Sequence, residues 1–247
     1  MWHKPNQLNW LANALYAVSI ALLLYGLLVA FIRLPIFPIN TVEVSGQLNH
    51  VSRKQVELIV EEHLRGNFFT LDLKKARNAF EKLPWTRHVS VRRHWPSTLA
   101  VDIEEHKALA RWGDIALVNT YGELFNGASD AQLPVFYGAG NAVKKVAEQY
   151  ANFGKVLQAT DMSIMQVTLS SRLAWEIKTN DNLLISIGRE NMQARLSRFS
   201  VAHQTVLRHL NTTIQYADLR YPNGFALRQT KKISMTVSPA TLKKALS

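Results

Sequence analysis

The sequence predicts an α+β protein: a single N-terminal transmembrane helix, a small β-α-α-β-β domain, then a larger mixed β domain with two long helices. Three observations carry that prediction. Leu11–Ile32 is an apolar run with no charge between Lys4 and Arg33. Between Ile39 and Ile103 the apolar spacing switches from alternation to helical recurrence and back, in the order strand, helix, helix, strand, strand. After His106, short apolar runs are parted by turn signals and interrupted by two helical stripes.

As a helix rising about 1.5 Å per residue, Leu11–Ile32 spans roughly 33 Å, enough for a hydrocarbon core of about 30 Å. It runs into Phe31-Ile32-Arg33-Leu34-Pro35 with no small-residue cleavage site, so it reads as an uncleaved signal anchor. It has no polar face of the kind a soluble core helix usually keeps. Residues 1–10, with Lys4, are expected in the cytoplasm and the long remainder outside, because long downstream domains translocate largely regardless of charge. Residues 33–37 form a juxtamembrane connector.

The composition narrows the classes. Hydrophobic residues make up 47% of the chain, which is enough for packed cores. There is no cysteine, so a disulfide scaffold and thiolate chemistry are excluded. Lys and Arg exceed Asp and Glu by 29 to 18, and Lys231, Lys232, Lys243 and Lys244 lie near the C-terminus. The basic balance fits attraction to an anionic membrane surface better than nucleic acid for a domain outside the membrane.

Within 38–105, Ile39–Ser45 alternates as a strand and Gly46 closes it. Ser52 and Gln55 make a capping box that opens a helix to about Leu64, with Val56, Ile59, Val60 and Leu64 on one face. Gly66 stops it. Asp72 caps a second helix carrying Leu73, Ala76, Phe80 and Leu83, which Pro84 ends. Arg87–His94, a Trp95-Pro96-Ser97 turn and the alternating Leu99, Val101 and Ile103 complete a three-stranded sheet that would bury both helical stripes.

Within 106–229, strands are expected at Ala108–Trp112, Ile115–Asn119 and Leu133–Tyr137, parted by glycine-bearing turns. A helix over Asn141–Thr160 precedes strands Met165–Ser170, Leu173–Thr179 and Leu183–Gly188. A second helix runs over Asn191–Leu210 with a stripe of Met192, Leu196, Phe199, Val206 and Leu210. Ile214–Asp218 and Phe225–Gln229 flank a Tyr221-Pro222-Asn223-Gly224 turn. Residues 230–247 read as a basic, flexible tail.

Chemical motifs are scarce. Gly138-Ala139-Gly140 opens a helix after an apolar run, but the third glycine of a dinucleotide fingerprint is replaced by Val143. His88 and His94 are six residues apart on one strand, about 20 Å, too far to share an ion. Glu104 and Glu105 end a strand and point to opposite faces, so they cannot act on one bond. His203 falls on the stripe of the last helix as a packing residue. No serine stands in a nucleophile motif. No catalytic residue, cofactor, metal or small-molecule substrate is expected. The pattern is that of an anchored adaptor.

Leu83–Trp112 (LPWTRHVSVRRHWPSTLAVDIEEHKALARW), Val118–Phe125 (VNTYGELF), Arg195–Phe199 (RLSRF) and Tyr216–Leu227 (YADLRYPNGFAL) together resemble the FtsQ/DivIB family of bacterial cell-division proteins. The segments occur in the family's order, with the anchor where the family has it. The resemblance implies a POTRA domain over 38–105 and a β domain over 106–229, in a single-pass inner-membrane protein enriched at the septum. It implies a divisome scaffold, not an enzyme, that binds FtsB and FtsL and links early recruits to septal peptidoglycan synthesis.

The family's partner site is the C-terminal strand, where a segment of FtsB adds as a further strand. The resemblance carries that role to Arg195, Arg220, Tyr221, Asn223, Gly224, Phe225 and Leu227. Tyr221 would be an amphipathic anchor, Gly224 a point of close backbone approach, and Arg195 the partner of an acidic residue, with the register between Arg195 and Arg198 open. Where the family carries a tryptophan near the strand's end, this chain has Gln229. The competing readings are another envelope POTRA factor for transport or assembly, an anchored wall hydrolase, and, more distantly, a nucleic-acid binder.

Overall fold

The computed structural model describes residues 5–34, 36–209 and 212–231 of the chain, with residues 5–8, 230 and 231 as backbone only. Two compact units divide it, Met1–His106 and Lys107–Ser247.

The first unit opens with α1, Pro5–Arg33. Within Asn9–Arg33 the most apolar 18-residue stretch has a mean hydropathy of 2.5 and none of that stretch is buried against protein, the profile of a helix whose solvent is lipid. The helix begins before the expected Leu11. The sheet that follows has the order β1-β3-β2, with β1 (Thr41–Ser45) parallel to β3 (Thr98–Glu105) and β2 (Thr86–His94) antiparallel to it. Leu99, Val101 and Ile103 of β3 are all buried on one face, each worth about 2 kcal/mol relative to exposure.

Helices α2 (Arg53–His63) and α3 (Leu73–Glu81) start where their caps dictate. The Ser52 hydroxyl accepts from Gln55 N, while Gln55 Oε1 accepts from Ser52 N at 2.9 Å. Asp72 Oδ1 accepts from Lys74 N and Lys75 N. Such caps stabilise a helix by about 1 kcal/mol. Val56 of α2, Ala76 and Phe80 of α3, and Leu64 just past the end of α2 are buried.

The second unit is a nine-stranded sheet in the order β12-β11-β10-β9-β8-β7-β4-β5-β6. Its strands are β4 (Ala108–Trp112), β5 (Ala116–Asn119), β6 (Leu124–Phe125), β7 (Val135–Tyr137), β8 (Ile164–Leu169), β9 (Trp175–Thr179), β10 (Leu184–Gly188), β11 (Thr212–Asp218) and β12 (Ala226–Lys231). Three neighbouring pairs are parallel: β4 and β7 are joined through β5 and β6, and each of the other two has a helical crossover. Helix α4 (Val143–Leu157) links β7 to β8, and α5 (Met192–Thr205) links β10 to β11. The helices share one core with the sheet, built on Phe136, Phe153, Trp175, Leu196 and Phe199. Phe153 meets Trp175 edge to face at 5.7 Å.

Several elements differ from the sequence reading. The two-residue β6 is an addition, too short to leave an apolar period. Leu173 lies in a turn at φ 59°, with its N–H on Ser170 O, so β9 starts at Trp175. Helix α5 ends at Thr205, and the 3-10 turn Leu207–His209 rotates Leu207 into the core while Val206 faces out. The expected packing position Leu210 lies outside the described residues. Thr230 and Lys231 still belong to β12, and 232–247, the rest of the expected tail, lie outside the described residues.

Candidate functional site

Strand β12 ends the sheet. On its inner side it pairs antiparallel with β11, Asp218 opposite Ala226, Ala217 opposite Leu227, Tyr216 opposite Arg228 and Ile214 opposite Gln229. Among the described residues no strand pairs its outer side, which leaves a row of backbone donors and acceptors open to a further strand. The turn that delivers the chain into β12 holds most of the site residues expected from the sequence.

Arg220 and Arg198 hold that turn, and Arg195 is bonded to the neighbouring end of β10. Arg220 makes a forked contact with Asp218 at the end of β11: Nε to Oδ1 at 2.9 Å and Nη2 to Oδ2 at 2.6 Å, with the Arg220 N–H also donating to Oδ1. Asp218 is 90% shielded at its side chain whereas Arg220 remains 61% exposed. The Arg220 side-chain hydrogen bonds hold the Asp218 carboxyl below its usual range, against the opposing effect of burial, and the same contact pushes the guanidinium up. Arg195, half-buried in α5, donates through Nη1 to Ile187 O at 3.0 Å, at the end of β10. Arg198, one turn on and exposed, donates through Nη1 to Pro222 O at 2.8 Å.

Both candidate arginines of α5 therefore touch the site, and each already has a partner within the chain. Two residues that hold them carried no sequence signal. Asp218 is one, visible only through the forked contact. Gly188 is the other: it sits at φ +84°, and a Cβ there would lie 2.9 Å from Arg195 Nη1 and 3.2 Å from Arg220 Cγ. An alternating strand ending in glycine is too common a pattern to have flagged it.

The remaining positions divide by exposure. Tyr221 is 54% exposed and Asn223 is exposed on the turn. Gly224 lies beside open space, with no atom within 4 Å of a Cβ built on it and no left-handed φ. Its lack of a side chain is not used within this chain. Phe225 packs edge to face on Phe199 at 5.5 Å, and Leu227 packs on the same core. Those two side chains face inward, so they position the edge while their backbone remains on it. Gln229 is exposed, and Arg228 lies 5.3 Å from the Tyr216 ring centroid.

The positions weighed for catalysis are engaged otherwise. Among the described residues no three His, Asp or Glu side chains gather where an ion could sit. Glu104 pairs with Arg87 at 2.9 Å on the outer face. Glu105 turns to the other side and accepts from the backbone N–H groups of Asn49, His50 and Val51. Burial works to raise its carboxyl, and these donors outweigh it, leaving it below the usual range. His203 is half-buried beside Phe199, and burial lowers its pKa. Gly138 packs on Trp112, where a Cβ would come within 3.3 Å of the ring.

A family model described as POTRA domain, FtsQ-type, matches residues 37–106, and one described as Cell division protein FtsQ/DivIB, C-terminal, matches residues 110–220. The second match stops at Arg220, ahead of the turn and β12. The chain is 42% identical over 236 residues to the cell division protein FtsQ of Nitrosospira multiformis, covering 94% of this chain and 100% of that one. It is 41% identical over 235 residues to the FtsQ of Burkholderia pseudomallei, covering 92% and 94%. Against the FtsQ of Bordetella pertussis the figures are 33% over 252 residues, with 92% of each chain covered.

Proposed function

The chain belongs to the FtsQ/DivIB family of bacterial cell-division proteins, and from that premise we propose that it is a divisome scaffold without catalytic activity, which binds FtsB and FtsL by strand addition at β12. In this reading it sits at the septum of the inner membrane, N-terminus inside and bulk periplasmic, and helps control septal peptidoglycan synthesis. The observation that carries the binding mode is the outer side of β12, which no strand among the described residues pairs, beside the exposed Tyr221.

An extended partner segment gains main-chain hydrogen bonds along such an edge, while alternate side chains select it. Tyr221 offers a large amphipathic surface with little conformational entropy to lose, the profile of an interface anchor. Arg198, Arg220 and Arg228 are exposed around the edge and favour an acidic partner segment. The forked Arg220–Asp218 contact and the Arg198–Pro222 hydrogen bond hold the turn in place before the partner arrives, which lowers the ordering cost of association.

The test is titration of the full chain in lipid nanodiscs with the periplasmic segments of FtsB and FtsL, alongside Tyr221→Ala. Circular dichroism checks that the variant is folded. Binding by the parent chain, weakened about tenfold or more in a folded Tyr221→Ala, supports the site. Equal binding by both places the interface elsewhere, and no binding by either removes FtsB and FtsL as partners.

A further inference from the structure

The turn between β2 and β3 carries Trp95 with 83% of its surface exposed. Single exposed apolar residues are ordinary, and Ile115, 86% exposed on another hairpin, is one. Trp95 differs in its position. The starts of β1 and β3 and the end of β2 lie together, with Thr41 opposite Thr98 and His94 opposite Thr98. That end of the sheet is the one that α1 enters. Asn40 N donates to Ser97 O at 3.0 Å, so Trp95 stands about two residues, roughly 7 Å, along the chain from a contact with the segment that leads from the connector into β1.

The connector is tied to the helix just as closely. Asn67 Nδ2 donates to Ile32 O at 2.9 Å and to Leu34 O at 2.6 Å, satisfying carbonyls that the end of α1 leaves open. Phe68 N donates to Phe37 O at 2.8 Å. Arg93, in the stem of the hairpin, donates to Phe68 O and Leu71 O, both at 2.6 Å. Edge-to-face rings run from Phe31 to Phe37 at 5.6 Å and from Phe37 to Phe69 at 5.1 Å. The helix exit, the 66–71 loop and the hairpin stem are thus joined by direct bonds, and Leu34, Ile36, Phe69 and Trp95 are all exposed around them.

We propose that this end of the domain is a lipid-contact surface, with Trp95 seated in the headgroup layer of the leaflet into which α1 emerges. Counting about 20 residues from Trp10 brings the edge of the hydrocarbon to about Phe31, and the headgroup zone extends roughly 5–7 Å further. Leu34 and Ile36 fall within that zone, and the short, bonded connector keeps Trp95 near it. Tryptophan is the side chain best suited there, with an apolar body and one N–H for the wet side. Arg33 at the end of α1, with Arg92 beside the tip, supplies cationic character for phosphate groups. The contact would restrict the domain's swing about the anchor.

The test uses the full chain in nanodiscs whose lipids are brominated just below the headgroup. The difference in emission between the parent chain and Trp95→Phe isolates Trp95 from the other five tryptophans. The expected result is that this component loses most of its intensity to the brominated lipids and resists aqueous iodide. A component quenched by iodide as readily as free indole, and indifferent to bromine, overturns the proposal and leaves the tip to a protein partner. The readout involves no divisome protein, so it stands or falls separately from the β12 interface.

Discussion

Replacing Gly188 by alanine tests how the two arginines are held. The residue sits at φ +84°, and the new Cβ would meet Arg195 Nη1 at 2.9 Å and Arg220 Cγ at 3.2 Å. Left-handed backbone costs a residue with a Cβ about 1–2 kcal/mol. Displacing Arg195 from Ile187 O forfeits part of a charge-assisted hydrogen bond, about 1 kcal/mol after allowance for its half-exposed position. The sum is about 2–3 kcal/mol, which for a domain of this size lowers Tm by roughly 5–10 °C. Gly224→Ala is the matched control: no neighbour lies within 4 Å and φ is not left-handed, so stability should stay within about 0.5 kcal/mol. Thermal unfolding of the full chain, followed by near-ultraviolet circular dichroism, reads both. Equal Tm for Gly188→Ala and the parent would refute the account of the site as arginines packed over a bare backbone. In a binding titration, Gly224→Ala should lose FtsB affinity at unchanged Tm, because the open space beside Gly224 is where a partner's backbone would come closest.

Three further outcomes follow from the same geometry. Asp218→Asn removes the forked contact and should cost about 1 kcal/mol, given the exposure of Arg220. Because the folded Asp218 pKa is lowered, its contribution is full above the unfolded value near pH 4 and fades as pH falls through the folded one, so the variant's acid limb should be flatter below about pH 4. Glu105→Gln places an amide N–H₂ against backbone N–H groups at Asn49–Val51 and should cost about 1–3 kcal/mol, with faster hydrogen exchange at those three amides. The Glu105 pKa is also lowered, so the sign is the same: the parent loses this contribution as pH falls below about 4.3. Asn67→Ala unties the end of α1 and should speed exchange at residues 66–71 while changing global stability by about 1 kcal/mol or less.

Long-period features were legible in the sequence. The uncharged run of α1, the Ser52–Gln55 box, the Asp72 cap and the alternation through β3 each rest on local chemistry, and each appears as read. The turn signals between β4 and β12 supplied most of the mixed sheet, though not its order, which depends on two helical crossovers pairing strands remote in sequence. Short or strained features were hidden. Two residues of β6 make no period, and the positive φ of Leu173 is a tertiary choice that propensity opposes. In the site, Arg195, Arg198 and Arg220 could be named, but the groups they contact could not. A backbone carbonyl at Ile187, another at Pro222 and a glycine at 188 have no side-chain signature to read.

Those commitments narrow what a partner at β12 can use. Arg195 is committed to Ile187 O, Arg198 and Arg220 hold the turn and offer the partner only their exposed charge, and Phe225 and Leu227 face the core, so the rest of the selection falls to Tyr221 and to the exposed side chains of β12 itself. Gln229 is among these, exposed opposite Ile214 and distant from the packed turn. An amide there offers hydrogen bonds that water also supplies, whereas an indole would bury apolar area against an added strand. On the rim of an interface an aromatic gives about 1 kcal/mol, less than at a buried centre, so Gln229→Trp should tighten FtsB binding about fivefold. Because the side chain is exposed, Tm should not move by more than about 2 °C. Unchanged affinity in a folded Gln229→Trp would show that the added strand stops short of residue 229, confining the interface to the turn and the first half of β12.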